Sequence, residues 1–193
     1  MSGEVLINGI HADTITDKDK RKLFAYVEQT FHMVPGTVKD QITLYDDRIS
    51  ERQVKAVAEL TGLKEAIESL ENGYDTYCTP EIFSQGQWQL LSIARAAVAK
   101  PKLLLLDEHT AALDPKTADK VLQLTEEIVA RDHLTTLMVT HNMKHAIQYG
   151  NRLIMMDAGR VVVDIRGEEK KNLTVSDLLE KFNIENDRML LSE

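Results

Sequence analysis

Apolar positions along the 193-residue chain change period several times, and each change marks an element. Two short apolar runs near the start, residues 4–8 (Glu-Val-Leu-Ile-Asn) and 24–28 (Phe-Ala-Tyr-Val-Glu), predict strands around a polar, Lys-rich segment. Phe31, Met33, Val34 and Pro35 then place apolar side chains on a connection that leads to a helical region. They either fold back on the core or form a docking surface for another chain. Residues 50–61 predict a helix with Ser50 as N-cap, Val54, Val57 and Leu60 at helical spacing, and Gly62 just past the end. A second short helix runs to Leu70, Asn72-Gly73 marks a turn, and an irregular segment through Pro80 leads to a long helix starting at Ser84. Leu90, Leu91, Ala94, Ala97 and Val98 form its apolar face, and Pro101 ends it.

From Lys102 onward, strands alternate with helices. Leu103 to Leu106 is a continuous apolar run, as expected for a parallel strand buried on both faces. Pro115 to about Arg131 predicts a helix that turns Ala118, Val121, Leu122, Thr125, Ile128 and Val129 inward, and Thr135–Thr140 predicts the next strand. After a short helix, Leu153–Met156 and Arg160–Ile165 flank Asp157-Ala158-Gly159 as a hairpin, and residues 174–182 read as an amphipathic helix before a frayed tail. This order implies an α/β fold with a parallel sheet, into which a mostly helical lobe is inserted between residues 40 and 100.

Composition narrows the function classes. There are 23 Lys plus Arg against 31 Asp plus Glu, a net charge of −8, which argues against a nucleic-acid binder because such affinity rests on neutralising phosphates. Cys78 is the one cysteine, so a disulfide framework is excluded. No run approaches the roughly 20 apolar residues that span a bilayer, and the first residues lack the pattern of a signal peptide, so a cytoplasmic protein is expected.

Three segments carry candidate chemistry. Lys102-Leu-Leu-Leu-Leu-Asp107-Glu108 delivers two carboxylates at a strand's C-terminal end, where open α/β sheets bind ligands. Asp107 would hold Mg²⁺ and Glu108 would polarise a water, or both are simply solvated acids at a strand end. Phe83-Ser84-Gln85-Gly86-Gln87 opens a helix, where free N–H groups and the dipole favour an anion, or where Ser84 only caps. Val139-Thr140-His141 ends another strand, so His141 would reach a phosphate or a water, or is a hydrogen-bonded strand-end histidine. His141 and His145 also have helical i, i+4 spacing, but no third metal ligand accompanies them.

In this order, these segments resemble the ATP-binding cassette family of transporter ATPases over nearly the whole chain. The resemblance implies a P-loop NTPase-like (RecA-like) parallel sheet and the following roles. Gln29 is similar to the Q-loop glutamine that senses Mg²⁺, and Ser84, Gln85, Gly86 and Gln87 to the signature motif that contacts the γ-phosphate of an ATP held by the opposite subunit. Asp107 resembles the Walker B aspartate and Glu108 the catalytic glutamate. Asp114, in Ala112-Leu113-Asp114, resembles the D-loop aspartate, and His141 the switch histidine. The implied cofactors are ATP and Mg²⁺. The implied partners are a second such ATPase domain and a membrane permease docking at Phe31–Pro35, which would bring the protein to the cytoplasmic face of the membrane.

The family also needs a G-x-x-x-x-G-K-[ST] loop to hold the phosphates, and the 193 residues contain no Gly-Lys pair. The expectation is an ATP-binding domain over residues 1–183 whose P-loop strand and helix are absent. It comprises a helical and signature lobe at about 38–100, a core at 101–150, a hairpin and helix at 151–183, and a tail at 184–193. Apolar strand surface around Val139 and Ile154 should then stand open. Residues 1–100 resemble the exporter-type branch, as in Gly73-Tyr74-Asp75-Thr76, whereas residues 101–182 look more like ATPases of small, amino-acid-type importers. A chain joined from two cassette ATPases near residue 100 would account for both. The expected function is the ATPase domain of a transporter, unable to hold ATP normally alone. The alternatives are a non-hydrolysing docking or dimerisation module, and a soluble cassette ATPase of repair or translation.

Overall fold

β1 (Leu6–Ile7) and β2 (Ile10–His11) pair antiparallel at the start of the computed structural model, which describes residues 4–7 and 9–181. The chain divides into two compact units, Met1–Val139 and Thr140–Glu193. The strand expected over residues 4–8 is thus shorter than its apolar run, and Asn8 lies outside the described residues.

The Lys-rich stretch expected to be merely polar is a helix, α1 (Asp17–Leu23), with no buried residue. The Thr16 side chain accepts from the Asp19 N–H, Asp17 and Asp19 sit in the first turn, and Lys20, Arg21 and Lys22 in the last, so capping and the helix dipole favour it without an apolar stripe. It leads into β3 (Phe24–Val27). An ion-pair network ties α1 to the chain after α2 (Val38–Thr43): Arg48 donates to both Asp46 oxygens at 2.9 Å and to Asp19 Oδ1 at 2.9 Å. The Arg48 guanidinium holds the Asp46 carboxyl down at about 2. The folded value lies below the unfolded one, so this stabilisation is present above about pH 4 and lost as pH falls through about 2. Asp46→Asn is therefore expected to flatten the loss of stability over that acid window, as read from urea midpoints. Equal slopes in both proteins would contradict the assignment.

Helices α3 (Glu51–Leu60), α4 (Lys64–Glu68) and α5 (Gln85–Ala97) follow. Ser50 caps α3 through a reciprocal pair with Gln53, and Ser84 caps α5 through one with Gln87, as the sequence pattern predicts. β4 (Leu103–Asp107), α6 (Pro115–Asp132) and β5 (Thr135–Val139) complete the unit. The strands form a parallel sheet in the order β3-β4-β5, with Tyr26 opposite Leu105 and Leu106 opposite Met138.

The sheet's two faces differ. Val27, Leu104 and Leu106 are buried with Leu91 and Ile93 of α5 and Val121 and Ile128 of α6. The opposite face carries Phe24, Tyr26, Leu137 and Val139, all exposed, with Leu103 and Leu105 only half-buried. Burial of β4 on both faces, expected from its unbroken apolar run, is thus corrected. Neighbouring strands present uncovered side chains beside its odd-numbered leucines, and its helical cover lies on one side.

In the second unit, α7 (Met143–Gln148) precedes the hairpin of β6 (Arg152–Asp157) and β7 (Arg160–Arg166). Ala158 and Gly159 both adopt positive φ, 44° and 79°, matching the twist of a tight hairpin. After α8 (Glu168–Lys171), a helix runs from 175 to 181, and the remainder of the predicted helix and tail lies outside the described residues. Leu153, Val163, Ile165 and Leu178 form this unit's core. The buried Lys170 donates to the Tyr149 carbonyl at 2.9 Å and to the Ile147 carbonyl. Among the described residues, no helix is long and apolar enough to cross a membrane.

Candidate functional site

β3 and β4 run parallel and in register from Phe24–Leu103 to Val27–Leu106, so Gln29 and the Asp107–Glu108 pair leave the sheet at the same end. Asp107 closes β4 half-buried, and its Oδ2 accepts a hydrogen bond from the Tyr26 phenol at 2.6 Å. That bond to a carboxylate pushes the Tyr26 hydroxyl above its ordinary pKa. Glu108 takes a left-handed conformation, φ 46°, that non-glycine residues rarely adopt. Its N–H donates to the Val139 carbonyl at 3.1 Å, and its carbonyl accepts from the Ala111 N–H at 2.9 Å, which forces a tight turn straight off the strand. Such strain at a strand end with two acids is a pointer to function. Glu108→Gly is expected to be more stable than Glu108→Ala by about 1 kcal/mol, because glycine enters that region without strain. Paired thermal melts check this, and equal melting temperatures would show the turn to be unstrained.

The Ser84–Gln87 segment is built as a helix start. The Ser84 Oγ accepts from the Gln87 N–H at 3.3 Å, and Gln87 Oε1 accepts from the Ser84 N–H at 2.8 Å. Gly86 serves the packing of α5 on α6: a Cβ there would stand 2.5 Å from Thr117 Cγ2. The Asp114 carboxylate caps α6 by accepting from the Thr117 N–H at 3.1 Å, and the Thr117 side chain, followed by this N–H, lowers its pKa. The signature-like segment and Asp114 are therefore adjacent through Gly86 and Thr117. His141 is exposed and lies in the second unit, between β5 and α7 in sequence.

The apolar connection at Phe31–Pro35 packs in part on the helical region and in part faces solvent. Phe31 stacks on Trp88 with ring centroids 4.8 Å apart, and Trp88 meets Phe83 edge-on at 5.1 Å. Gln41, fully buried, clasps the connection: its Oε1 accepts from the Val34 N–H at 2.9 Å and its Nε2 donates to the Val34 carbonyl at 2.6 Å. Arg95 lies over the Phe31 ring at 4.2 Å and donates to the His32 carbonyl at 2.8 Å. Between these groups a cleft of ≈ 400 Å³ opens, lined by Gln29, Phe31, Met33, Phe83, Gln85 and Trp88 among others. Gln29 and Gln85, assigned to separate motifs, thus share one cleft. Tyr26, Gln41, Trp88 and Arg95 were not singled out in the sequence. Their roles arise from contacts such as Arg95 to His32, 63 residues apart.

A family model for the ABC transporter matches residues 1–111, more than half of the chain. The chain belongs to the ABC transporter ATP-binding family. Over 102 residues it is 59% identical to a tyrosine transport ATP-binding protein of Clostridioides difficile (strain R20291), covering 53% of this chain and 41% of that protein. Over 174 residues it is 34% identical to the glutamine transport ATP-binding protein GlnQ of Geobacillus stearothermophilus, 87% of this chain and 69% of that protein. The structure of a bacterial Atm1-family ABC exporter with ATP bound matches at TM-score 0.70 and 26% identity, over 99% of this chain and 32% of that one. This ABC chain therefore spans less than half of the tyrosine transport relative and about a third of the exporter. Relatives of both importer and exporter type accord with the mixed character of its motifs, and its parallel sheet and helices match the P-loop NTPase fold of ABC ATPases. Family members bind ATP with Mg²⁺, form dimers and act with membrane permeases.

Proposed function

We propose that this chain is a coupling and signature-bearing part of an ABC transporter ATPase, working at the cytoplasmic face of a membrane. The carrying observation is the shared cleft, in which Gln29 from the end of β3 and Gln85 from the start of α5 line one apolar recess with Phe31, Met33 and Trp88. A recess of aromatic and apolar walls with a few polar groups suits an amphipathic segment of a permease, and Gln29 on its rim leaves the sheet at the same end as Asp107 and Glu108.

By the family's chemistry Asp107 would offer Mg²⁺ a carboxylate and Gln29 an amide oxygen, hard ligands that would leave other positions to water and phosphate. Glu108 would orient and deprotonate a water, and Mg²⁺ would neutralise phosphate charge when bound. Ser84, with Oγ accepting from Gln87 and its O–H left to donate, would face the γ-phosphate of an ATP held by a second, complete domain, with Asp114 at the same contact. A whole nucleotide fits poorly, because the 193 residues hold no Gly-Lys phosphate loop. The exposed Leu137 and Val139 on the sheet's open face support the same reading, since that surface is apolar and uncovered. By itself the chain is then a weak ATP binder and not a competent hydrolase.

The test is ATPase activity on mixing the chain with an intact ABC ATP-binding domain. Stimulation that Ser84→Ala abolishes is expected. Stimulation that survives Ser84→Ala would contradict the role of the signature segment. No stimulation, with binding to a permease retained, would favour the second reading, a non-hydrolysing docking module.

A further inference from the structure

Gln89 of α5 lines the same cleft as Gln29 and Gln85 but differs from the other polar walls: Gln29, Thr30 and Gln85 are exposed, whereas Gln89 is 3% exposed. Its Nε2 donates to the Glu28 carbonyl at 3.0 Å. A carbonyl can only accept, so this bond fixes which way the amide faces and leaves Oε1 to accept elsewhere. Among the described residues no hydrogen bond reaches Oε1, and the atom is not sealed from solvent. Gln89 is thus a buried acceptor open to a recess whose other walls include the apolar Phe31, Met33, Phe83, Trp88 and Leu113.

We propose that the recess takes an aromatic side chain ending in a hydrogen-bond donor, a tyrosine carried by a permease segment, whose phenol donates to Gln89 Oε1. This rests on the reading of the cleft as a recess for a permease segment and names the anchor of that segment. Any occupant displaces the water that an open acceptor holds. A phenylalanine or leucine side chain would cover the apolar walls but strand the acceptor, whereas a phenol covers the same walls and restores the bond. A site with a buried acceptor rejects the analogue that lacks the hydroxyl more sharply than an apolar pocket discriminates by size. Phe31 and Trp88, stacked at 4.8 Å, and the edge-on Phe83 supply aromatic surface for the ring. Because Ser84 caps the same helix, an anchor held by Gln89 bears directly on the helix that presents the signature-like segment.

The experiment titrates N-acetyl-tyrosinamide and N-acetyl-phenylalaninamide, which differ by one hydroxyl, into the full chain. Binding is followed by proton–nitrogen NMR of the indole N–H of Trp88, the single tryptophan and a wall of the cleft. The tyrosine probe is expected to bind about tenfold more tightly than the phenylalanine probe, although it is the less apolar of the two. Gln89→Met has similar size but no acceptor. It is expected to weaken the tyrosine probe to the phenylalanine value while holding phenylalanine binding within about twofold of wild type. If the phenylalanine probe binds wild type as well as the tyrosine probe does, or better, the donor anchor is overturned while the docking recess stands. If Gln89→Met weakens both probes alike, Gln89 shapes the recess without reading the hydroxyl, and the proposal fails. If neither probe moves the Trp88 resonance, the recess takes no aromatic side chain, and the docking role of the cleft fails with the anchor.

Discussion

Arg95→Met is expected to destabilise the first unit by about 3 kcal/mol. The guanidinium donates from Nε to the Gln41 carbonyl at 2.6 Å, from Nη1 to the His32 carbonyl at 2.8 Å and from Nη2 to Gln41 Oε1 at 3.2 Å. It also covers the Phe31 ring, while its own backbone carbonyl accepts from Arg21 Nη2 at 3.1 Å. Burial, and then the neighbouring Arg21 charge, pull its pKa down to about 10, so the side chain still carries its charge at neutral pH. Methionine keeps the apolar stem but leaves two carbonyls without donors, at roughly 1–3 kcal/mol for each that stays buried. Relief of the charge repulsion with Arg21 offsets part of this. Loss of the cation over Phe31 adds about 1 kcal/mol. Urea unfolding followed by the fluorescence of Trp88, the single tryptophan, measures the effect. A loss below about 1 kcal/mol would show that water replaces the guanidinium. Arg95→Lys is expected to recover little of the loss, because one ammonium cannot reproduce a planar fork bridging Gln41 and His32.

The second large effect is expected at Gly86. A Cβ at that position would lie 2.5 Å from Thr117 Cγ2, well inside contact distance, and threonine is stiff about χ1. Gly86→Ala should therefore push the start of α5 away from α6 and destabilise by about 2 kcal/mol, after its better helix propensity offsets part of the strain. Thr117→Ser removes the offending methyl and keeps the backbone N–H that Asp114 caps. The double variant Gly86→Ala/Thr117→Ser should recover most of the loss, and additive effects of the two changes would contradict the clash. Because the pair joins the signature-like segment to Asp114, the same double variant would restore the proposed stimulation of a partner ATPase along with stability.

Helices that carry an apolar stripe and a polar cap were legible in the sequence: Ser50 and Ser84 each cap where expected, and the α6 residues Ala118, Val121, Leu122, Thr125 and Ile128 are buried as expected. α1 was not, because a helix with no buried residue leaves no periodic trace, and its Thr16 cap is seen only once the backbone is in place. The exposure of one face of β4 was hidden for a different reason. A run of four leucines has no alternation from which to read which side lacks cover. At the site, motif spacing put Gln29, Ser84, Asp107 and Glu108 on the right element ends, since strand and helix termini follow from local pattern. It gave no hint of Tyr26 beside Asp107, of Gln41 clasping Val34 or of Arg95 reaching His32, since each of these needs the tertiary fold to bring distant residues together.

The central claim, that these residues present a signature face but no grip of their own on ATP, is tested most directly by equilibrium dialysis of MgATP against the purified chain, alone and then with a hydrolysis-deficient intact ABC ATP-binding domain. The account predicts no saturable binding by the chain alone, with a Kd weaker than about 1 mM. It also predicts that wild-type chain, but not the Ser84→Ala variant, tightens ATP binding by the partner. Saturable micromolar binding by the chain alone would contradict it.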